Sequence, residues 1–203
     1  MSWRRCARPI SYYLSMLSEE DILDQFRRNG VIGDASEGHF ITSDGFHAAT
    51  LIRVEKALQF PPFNRSLSYL IARHFLELDI HVVAAASTGA IPAAVEVGRQ
   101  LEARTIFTAP HDATALYGGF MMHAGERVVI LQDLLCDDAE LENLTRLIRA
   151  ADARLIGVGS IVDARRERKK LTFRDVSAIR LPWERFPADA CPLCNAGSPL
   201  LSR

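Results

Sequence analysis

The sequence predicts an α/β fold: a largely parallel sheet flanked by helices, with a small N-terminal hood beside it. Three observations carry that expectation. The apolar run over 127–135, after Gly125, reads as a strand buried on both faces, and Leu141, Leu144, Leu147, Ile148 and Ala151 then recur with helical spacing. Upstream, the run at 81–86, the turn at 87–90, the pattern Ala93, Ala94, Val97 and Leu101, and the run at 103–108 repeat the succession of strand, loop, helix and strand. Residues 153–162 add another core strand.

The remaining elements follow from local chemistry. Ser18 precedes Glu19-Glu20-Asp21 and is placed to cap a helix that buries Ile22, Leu23 and Phe26 and stops at Asn29-Gly30. Asp44-Gly45 lies between the strand-like stretches 38–43 and 46–52, a strong short-range hairpin signal, and this antiparallel pair forms the predicted hood. After Pro61-Pro62, residues Leu67, Leu70, Ile71, His74, Phe75 and Leu78 keep helical spacing. Between 109 and 125 the pattern lapses for longer than an ordinary connection, which predicts a mobile loop or a second hairpin. Residues 165–170 read as a charged, solvated connection, 177–181 as one more strand, and 186–195 as an irregular tail; there is no internal repeat.

At 203 residues, with 48% hydrophobic content and a formal net charge of -1, the chain can bury one sizeable core and lacks the basic excess of a nucleic-acid coat. The expectation is a single domain over 1–203, its hood built from about 18–58 and the C-terminal tail. No apolar run is long enough to span a bilayer, and the basic start lacks the apolar block of a signal peptide, so the expected location is cytoplasmic. The four cysteines are too few and too unevenly spread for a disulfide scaffold and are expected to be reduced thiols. Cys191 and Cys194 have the spacing of half a zinc site. Its other ligands would come from Cys6, a histidine or the same pair of a partner subunit, and the expectation is that no metal binds.

The strand, loop and helix at 127–151 are where a parallel sheet offers an anion site, because free N–H groups and the helix dipole point to the strand's carboxyl end. Here that loop carries Asp137, Asp138 and Glu140, with neither a glycine to wrap an anion nor a lysine to neutralise one. Asp137 or Asp138 is expected instead to cap a helix over 140–151, a role worth about 1 kcal/mol. Asp133 has two readings, a ribose or metal ligand or a carboxylate held by solvent and N–H groups, and its position leaves both open. Cys136 stands where a thiolate is favoured but has no identifiable base partner. His39 and His47 flank the hood turn and are placed to pair across it.

Taken together, Gly38-His39-Phe40, Gly45 with His47, Leu58-Gln59-Phe60-Pro61, the run 95–101, Gln132-Asp133, Ile161-Val162-Asp163 and Cys191-Pro192-Leu193-Cys194 resemble a bacterial orotate phosphoribosyltransferase, in order and with similar spacing from about 22 to 200. The resemblance implies a type I phosphoribosyltransferase-like fold under a hood and a two-fold dimer. It also implies transfer of ribose phosphate from phosphoribosyl pyrophosphate to orotate with magnesium (Mg2+). In that family, two acids after the central strand meet the ribose hydroxyls, and hydroxyl and glycine residues hold the 5-phosphate. Here Asp133 remains, Gln132 replaces the other acid, and 136–140 reads Cys-Asp-Asp-Ala-Glu. The family's mobile loop brings lysine and arginine over the pyrophosphate, whereas 109–119 has neither and offers only His111. The pyrophosphate turn survives as Ser87, Thr88 and Gly89; the orotate-facing lysine falls at Val54, beside Arg53 and Lys56, and the arginine after the late strand falls at Ala164, beside Arg165.

These residues lead to one expectation, an orotate phosphoribosyltransferase-like protein whose transfer chemistry is lost or much reduced and whose role is ligand binding or regulation. The expected ligand-binding residues are Ser87, Thr88, Gly89, Gln132, Asp133, Asp137 and Arg165, with Asp133 the catalytic candidate. The expected ligand is a small nucleotide- or base-like molecule, and the expected partner is a second copy or an active homologue; neither nucleic acid nor a membrane is expected. Two alternatives stay open: an active, magnesium-using orotate phosphoribosyltransferase of pyrimidine nucleotide biosynthesis with a divergent loop, and a structural subunit partnering an active homologue.

Overall fold

The computed structural model describes residues 17–34, 38–42, 44–109, 112–137, 141–168 and 172–201. Cys6, His111, Asp138 and Glu140 lie outside the described residues, as do residue 43 at the end of the first hood stretch and residues 169–170 of the charged connection. Ser18 caps the first helix, α1 (Glu19–Arg28), as its sequence predicts: its hydroxyl accepts from the Asp21 N–H at 3.1 Å, and the Asp21 carboxylate accepts from the Ser18 N–H at 3.0 Å. Ile22 and Phe26 turn inward from it.

The hood is less regular than a single hairpin. β1 (Ile32–Asp34) comes first, then β2 (His39–Ile41), which pairs antiparallel with β3 (His47–Ala48) around a turn where Gly45 has φ of 85°. The stretch expected as one strand over 46–52 breaks at Ala49, and its second half, β4 (Thr50–Ile52), pairs with β1 instead. The short helix α2 (Glu55–Leu58) leads into α3 (Pro61–Ala72), whose paired prolines sit in the first turn, where a missing N–H costs nothing.

The main sheet contains β5 (Val82–Ala85), β6 (Arg104–Ala109), β7 (Asp112–Leu116), β8 (Arg127–Leu135), β9 (Arg154–Asp163) and β10 (Arg174–Arg180), in the order β10-β9-β8-β5-β6-β7. Every pairing is parallel except that of β6 with β7, so of the two expectations for 109–125 the hairpin is the one present. Phe107 holds it, stacking on Tyr117 with ring centroids 5.3 Å apart and meeting Phe120 edge-on at 5.0 Å.

Strand alternation explains the continuous apolar run at the sheet's centre. Val129 and Leu131 of β8 pack with Leu67, Ile71 and Val97 of α3 and α4 (Ile91–Leu101); Val128 and Ile130 pack with Leu144 and Ile148 of α5 (Glu142–Ala150). A methyl group at Gly159 would collide with Ile71 of α3 and one at Gly157 with Phe75 just beyond it, so these glycines set how closely α3 and the turn after it lie on β9. Helices therefore cover both faces.

Several boundaries differ from expectation. α5 starts at Glu142 behind Leu141, which provides no side-chain cap, so Asp137 is too far upstream to cap it. The last strand begins at Arg174 rather than 177, because its polar start still finds backbone partners on β9. The tail, expected to be irregular, forms the short helix α6 (Pro192–Asn195) and β11 (Leu200–Leu201), which pairs parallel with β2 and makes a three-stranded hood sheet. No helix among the described residues is long and apolar enough to cross a membrane.

Candidate functional site

A cleft of about 550 Å³ opens between the hood and the carboxyl-terminal part of the central strands, a volume that suits a small organic ligand. Ser87, from the turn after β5, and Gln132 and Asp133, from β8, form its floor; Asp44, Trp183 and Arg185 bring the hood and tail to its rim. Ser87 Oγ donates to Asp133 Oδ1 at 2.7 Å and accepts from the Ala90 N–H at 3.1 Å. A methyl at Gly89 would collide with the same Asp133 carboxylate. Asp133 thus lies across the 87–89 turn, the segment whose small residues and hydroxyls were expected to receive an anion.

The other expected site residues divide between the cleft and its surroundings. Gln132 lines the cleft and is only 3% exposed. Thr88 is exposed at the outer side of the turn, and Asp137 is exposed beyond Cys136; neither is among the lining residues. Arg165 is not brought to the site. At 2% exposure, its guanidinium donates to Asp163 at 2.9 and 3.0 Å and to Asp175 at 2.7 Å, within a buried cluster joined by Arg168. Burial would raise the Asp163 carboxyl, but the hydrogen bonds and charge of Arg165, aided by Arg168, outweigh it and hold the group below its ordinary value. A run that reads as a solvated connection therefore begins with a structural ion-pair network.

Charge within the cleft is balanced toward acid. Asp44, Glu55 and Asp133 face Arg53 and Arg185. Arg185 is engaged, paired with Asp44 and set 5.0 Å from the Phe46 ring centre and 5.3 Å from that of Trp183. Burial pushes the Asp44 carboxyl up, but the Thr42 hydroxyl and Arg185 prevail and lower it, so it is ionised at neutral pH. Arg53 differs, because its buried Nε has no hydrogen-bond partner among the described residues. Trp183 donates its ring N–H to Thr50 O at 2.7 Å, which fixes the indole as a wall.

Sequence reasoning missed Asp44, Trp183 and Arg185, because only the folded tail brings 183–185 over the hood turn. A second group of reactive side chains gathers outside the cleft lining, where His39 and His47 of the hood meet Cys191 and Cys194 of the tail. The histidines pair across the turn as expected, with Nε2 of His39 and Nδ1 of His47 3.2 Å apart.

No family model matches the chain. Whole proteins do. The chain is 30% identical over 185 residues to the orotate phosphoribosyltransferase of Chlorobium phaeobacteroides, spanning 91% of this chain and 94% of that one. It is 31% identical over 186 residues to the orotate phosphoribosyltransferase of Caldanaerobacter subterraneus, spanning 91% and 96%. The chain belongs to the orotate phosphoribosyltransferase family.

Solved structures agree on architecture. The orotate phosphoribosyltransferase of Aeropyrum pernix aligns with a TM-score of 0.59 at 16% identity, over 79% of this chain and 93% of that one. The UMP synthase of Leishmania donovani aligns at 0.61 and 18%, over 83% and 37%. The fold is that of the type I phosphoribosyltransferases. Within an orotate phosphoribosyltransferase framework, then, the strand-end turn after β5 is covered by a carboxylate, and the arginine nearest the family's late-strand position is held inside the protein.

Proposed function

We propose that this orotate phosphoribosyltransferase relative holds a small nucleotide- or base-like ligand in its cleft, as a binding or regulatory protein, and has lost efficient transfer from phosphoribosyl pyrophosphate. The observation that carries this reading is the acid loop after β8, where the exposed Asp137 carboxylate, followed in sequence by Asp138 and Glu140, stands in place of the hydroxyl and glycine cradle that the resemblance implies. A phosphate brought within about 4 Å of that carboxylate meets a repulsion of about 4 kcal/mol at an effective dielectric near 20. Every 1.4 kcal/mol or so of that is tenfold in affinity. The leaving pyrophosphate would also lack stabilisation, because 109–119 contains no lysine or arginine and Arg165 is engaged with Asp163 and Asp175.

What the cleft keeps suits a smaller guest. The unpartnered Nε of Arg53 can meet one anionic group, and the Trp183 indole offers a flat apolar wall. The working unit of the proposal is a two-fold dimer, of two copies or of one copy with an active homologue.

Calorimetry with magnesium and phosphoribosyl pyrophosphate, beside an orotate-consumption assay, tests the reading. The expected result is no measurable heat of binding and no transfer above background. Micromolar binding with ordinary turnover would restore the active enzyme with a divergent loop.

A thermal-shift panel of nucleobases, nucleosides and nucleotides tests the binding role separately. At least one member should raise Tm, since a ligand at about 100 times its Kd adds about 2.7 kcal/mol of stability. A flat response across the panel would leave the structural-subunit reading in its place.

A further inference from the structure

We propose that His39, His47, Cys191 and Cys194 form a four-coordinate zinc site that fastens the C-terminal tail to the hood. Their ligand atoms all lie within 4.8 Å of one another. Nε2 of His39 is 3.2 Å from Nδ1 of His47; Sγ of Cys194 is 3.3 Å from the first and 3.2 Å from the second; Sγ of Cys191 is 3.9 Å from Nε2 of His39. A regular tetrahedron with zinc–sulfur bonds of about 2.3 Å and zinc–nitrogen bonds of about 2.0 Å has edges of about 3.3 Å between nitrogens, about 3.5 Å between nitrogen and sulfur and about 3.8 Å between sulfurs. The one nitrogen–nitrogen and three nitrogen–sulfur separations stated above come within about 0.4 Å of those edges.

Hydrogen bonding accounts for the cluster less well than a shared cation does. Nε2 of His39 has His47, Cys194 and Cys191 around it at 3.2, 3.3 and 3.9 Å, yet a ring nitrogen carries either one proton or one lone pair in its plane. A metal at the centre uses one lone pair from each group. His39 is fully buried, Cys191 is 1% exposed and His47 6% exposed, so a divalent cation needs its charge met locally, and two thiolates with two neutral imidazoles do that. Soft sulfur with imidazole, four protein ligands and no open position is the donor set of a structural zinc site rather than a catalytic one.

The surrounding chain is shaped to present these atoms. Nδ1 of His39 lies 3.3 Å from Ser198 Oγ, and when Nδ1 carries the proton and donates to that oxygen the Nε2 lone pair is left toward the cluster. Cys191 and Cys194 sit on one tight turn: the Asn195 N–H donates to Cys191 O at 3.2 Å, the Gly197 N–H donates to Cys194 O at 2.9 Å, and Gly197 has φ of 74°. The tail grips both histidines on either side of that turn. The His39 N–H donates to Pro199 O at 2.9 Å, and His47 and Phe186 exchange backbone hydrogen bonds at 2.8 Å each way.

The test uses the full chain, purified under reductant without chelator and equilibrated with zinc before dialysis. Elemental analysis should find about one zinc per chain, and cobalt exchanged into the site should give thiolate-to-metal charge transfer with the d–d bands of a tetrahedral site. Cys194→Ser and His47→Gln should each abolish stoichiometric metal, while Cys136→Ser keeps it. If a ligand variant fails to fold, zinc release from the wild-type chain on titration with a thiol-blocking mercurial gives the same answer. Substoichiometric zinc after equilibration, a Cys191–Cys194 disulfide in the reduced preparation, cobalt spectra without thiolate bands, or full metal in Cys194→Ser would each overturn the proposal.

Discussion

Arg165 shows at the scale of one residue how far a side chain's role can depart from its sequence context. It opens a run of charges, yet it is buried and donates to both oxygens of the fully buried Asp163. Arg165→Ala would leave that carboxylate without its fork of donors, and breaking a buried pair in this way costs about 3–5 kcal/mol. A fall of that size in urea-unfolding stability is expected, with little recovery in Arg165→Lys, whose ammonium cannot bridge two oxygens. The same contact sets a pH dependence. Because the folded-state value of Asp163 is lowered, its contribution is complete above the unfolded value, about 3.9, and is lost as pH falls through the folded one. Stability of the wild-type chain should therefore drop more steeply below about pH 4 than that of Asp163→Asn, compared as slopes because the variant starts less stable. Nothing local in 165–170 signals any of this, since Asp175, the further acid, is supplied by a neighbouring strand.

The elements divide by how local their causes are. β8, β5 and β9 were legible because strands buried on both faces read as apolar runs, and α1 was legible because Ser18 and Asp21 form their cap within one turn. The hood was only half legible. Asp44-Gly45 marks the turn, but the break at Ala49 follows from β1 claiming the second half of the strand and the tail claiming the first. His39 and His47 meet Cys191 and Cys194 for the same non-local reason: the cysteines have the spacing of half a zinc site, but the histidines lie about 150 residues away with no motif spacing that ties them to it. If zinc holds this element together, stripping it with chelator should raise amide exchange in 39–48 and 186–201, while β5, β8 and β9 keep their protection. Equal exchange in both regions before and after metal removal would deny the tail any dependence on the metal. Asp44 and Arg185, which line the cleft, lie within or beside these segments, so a loosened hood should also weaken whichever ligand the thermal-shift panel identifies.

Across the whole molecule, the framework of the family is present, and the proposed loss of transfer concerns only the residues at its strand ends. The resemblance spread over 22–200 made the type I phosphoribosyltransferase fold readable, and the six-stranded sheet with helices on both faces agrees with it. The cleft's electrostatics were only partly readable: the acids of the central loop stand out in the sequence, but the placement of Asp133 against Gly89 depends on two neighbouring strands meeting in register. Assembly is the remaining expectation at this scale. α3 and α4 are joined on the protein, with Gln100 donating to Arg65 O at 3.1 Å, and their outer sides leave Tyr69 38% and Val95 52% exposed, with Phe60 at the start of α3 at 41%. Large apolar side chains on paired helices suit a two-fold contact in which the same surface meets itself, and a stable contact of that kind covers about 1,600 Å² in total. Sedimentation equilibrium should accordingly give a dimer at micromolar concentration, and Val95→Glu with Tyr69→Glu should shift it to monomer without lowering unfolding cooperativity. Monomer alone in the wild-type chain would remove the homodimer. Co-expression with an active orotate phosphoribosyltransferase then decides the mixed assembly, which requires the two chains to co-purify at equal stoichiometry.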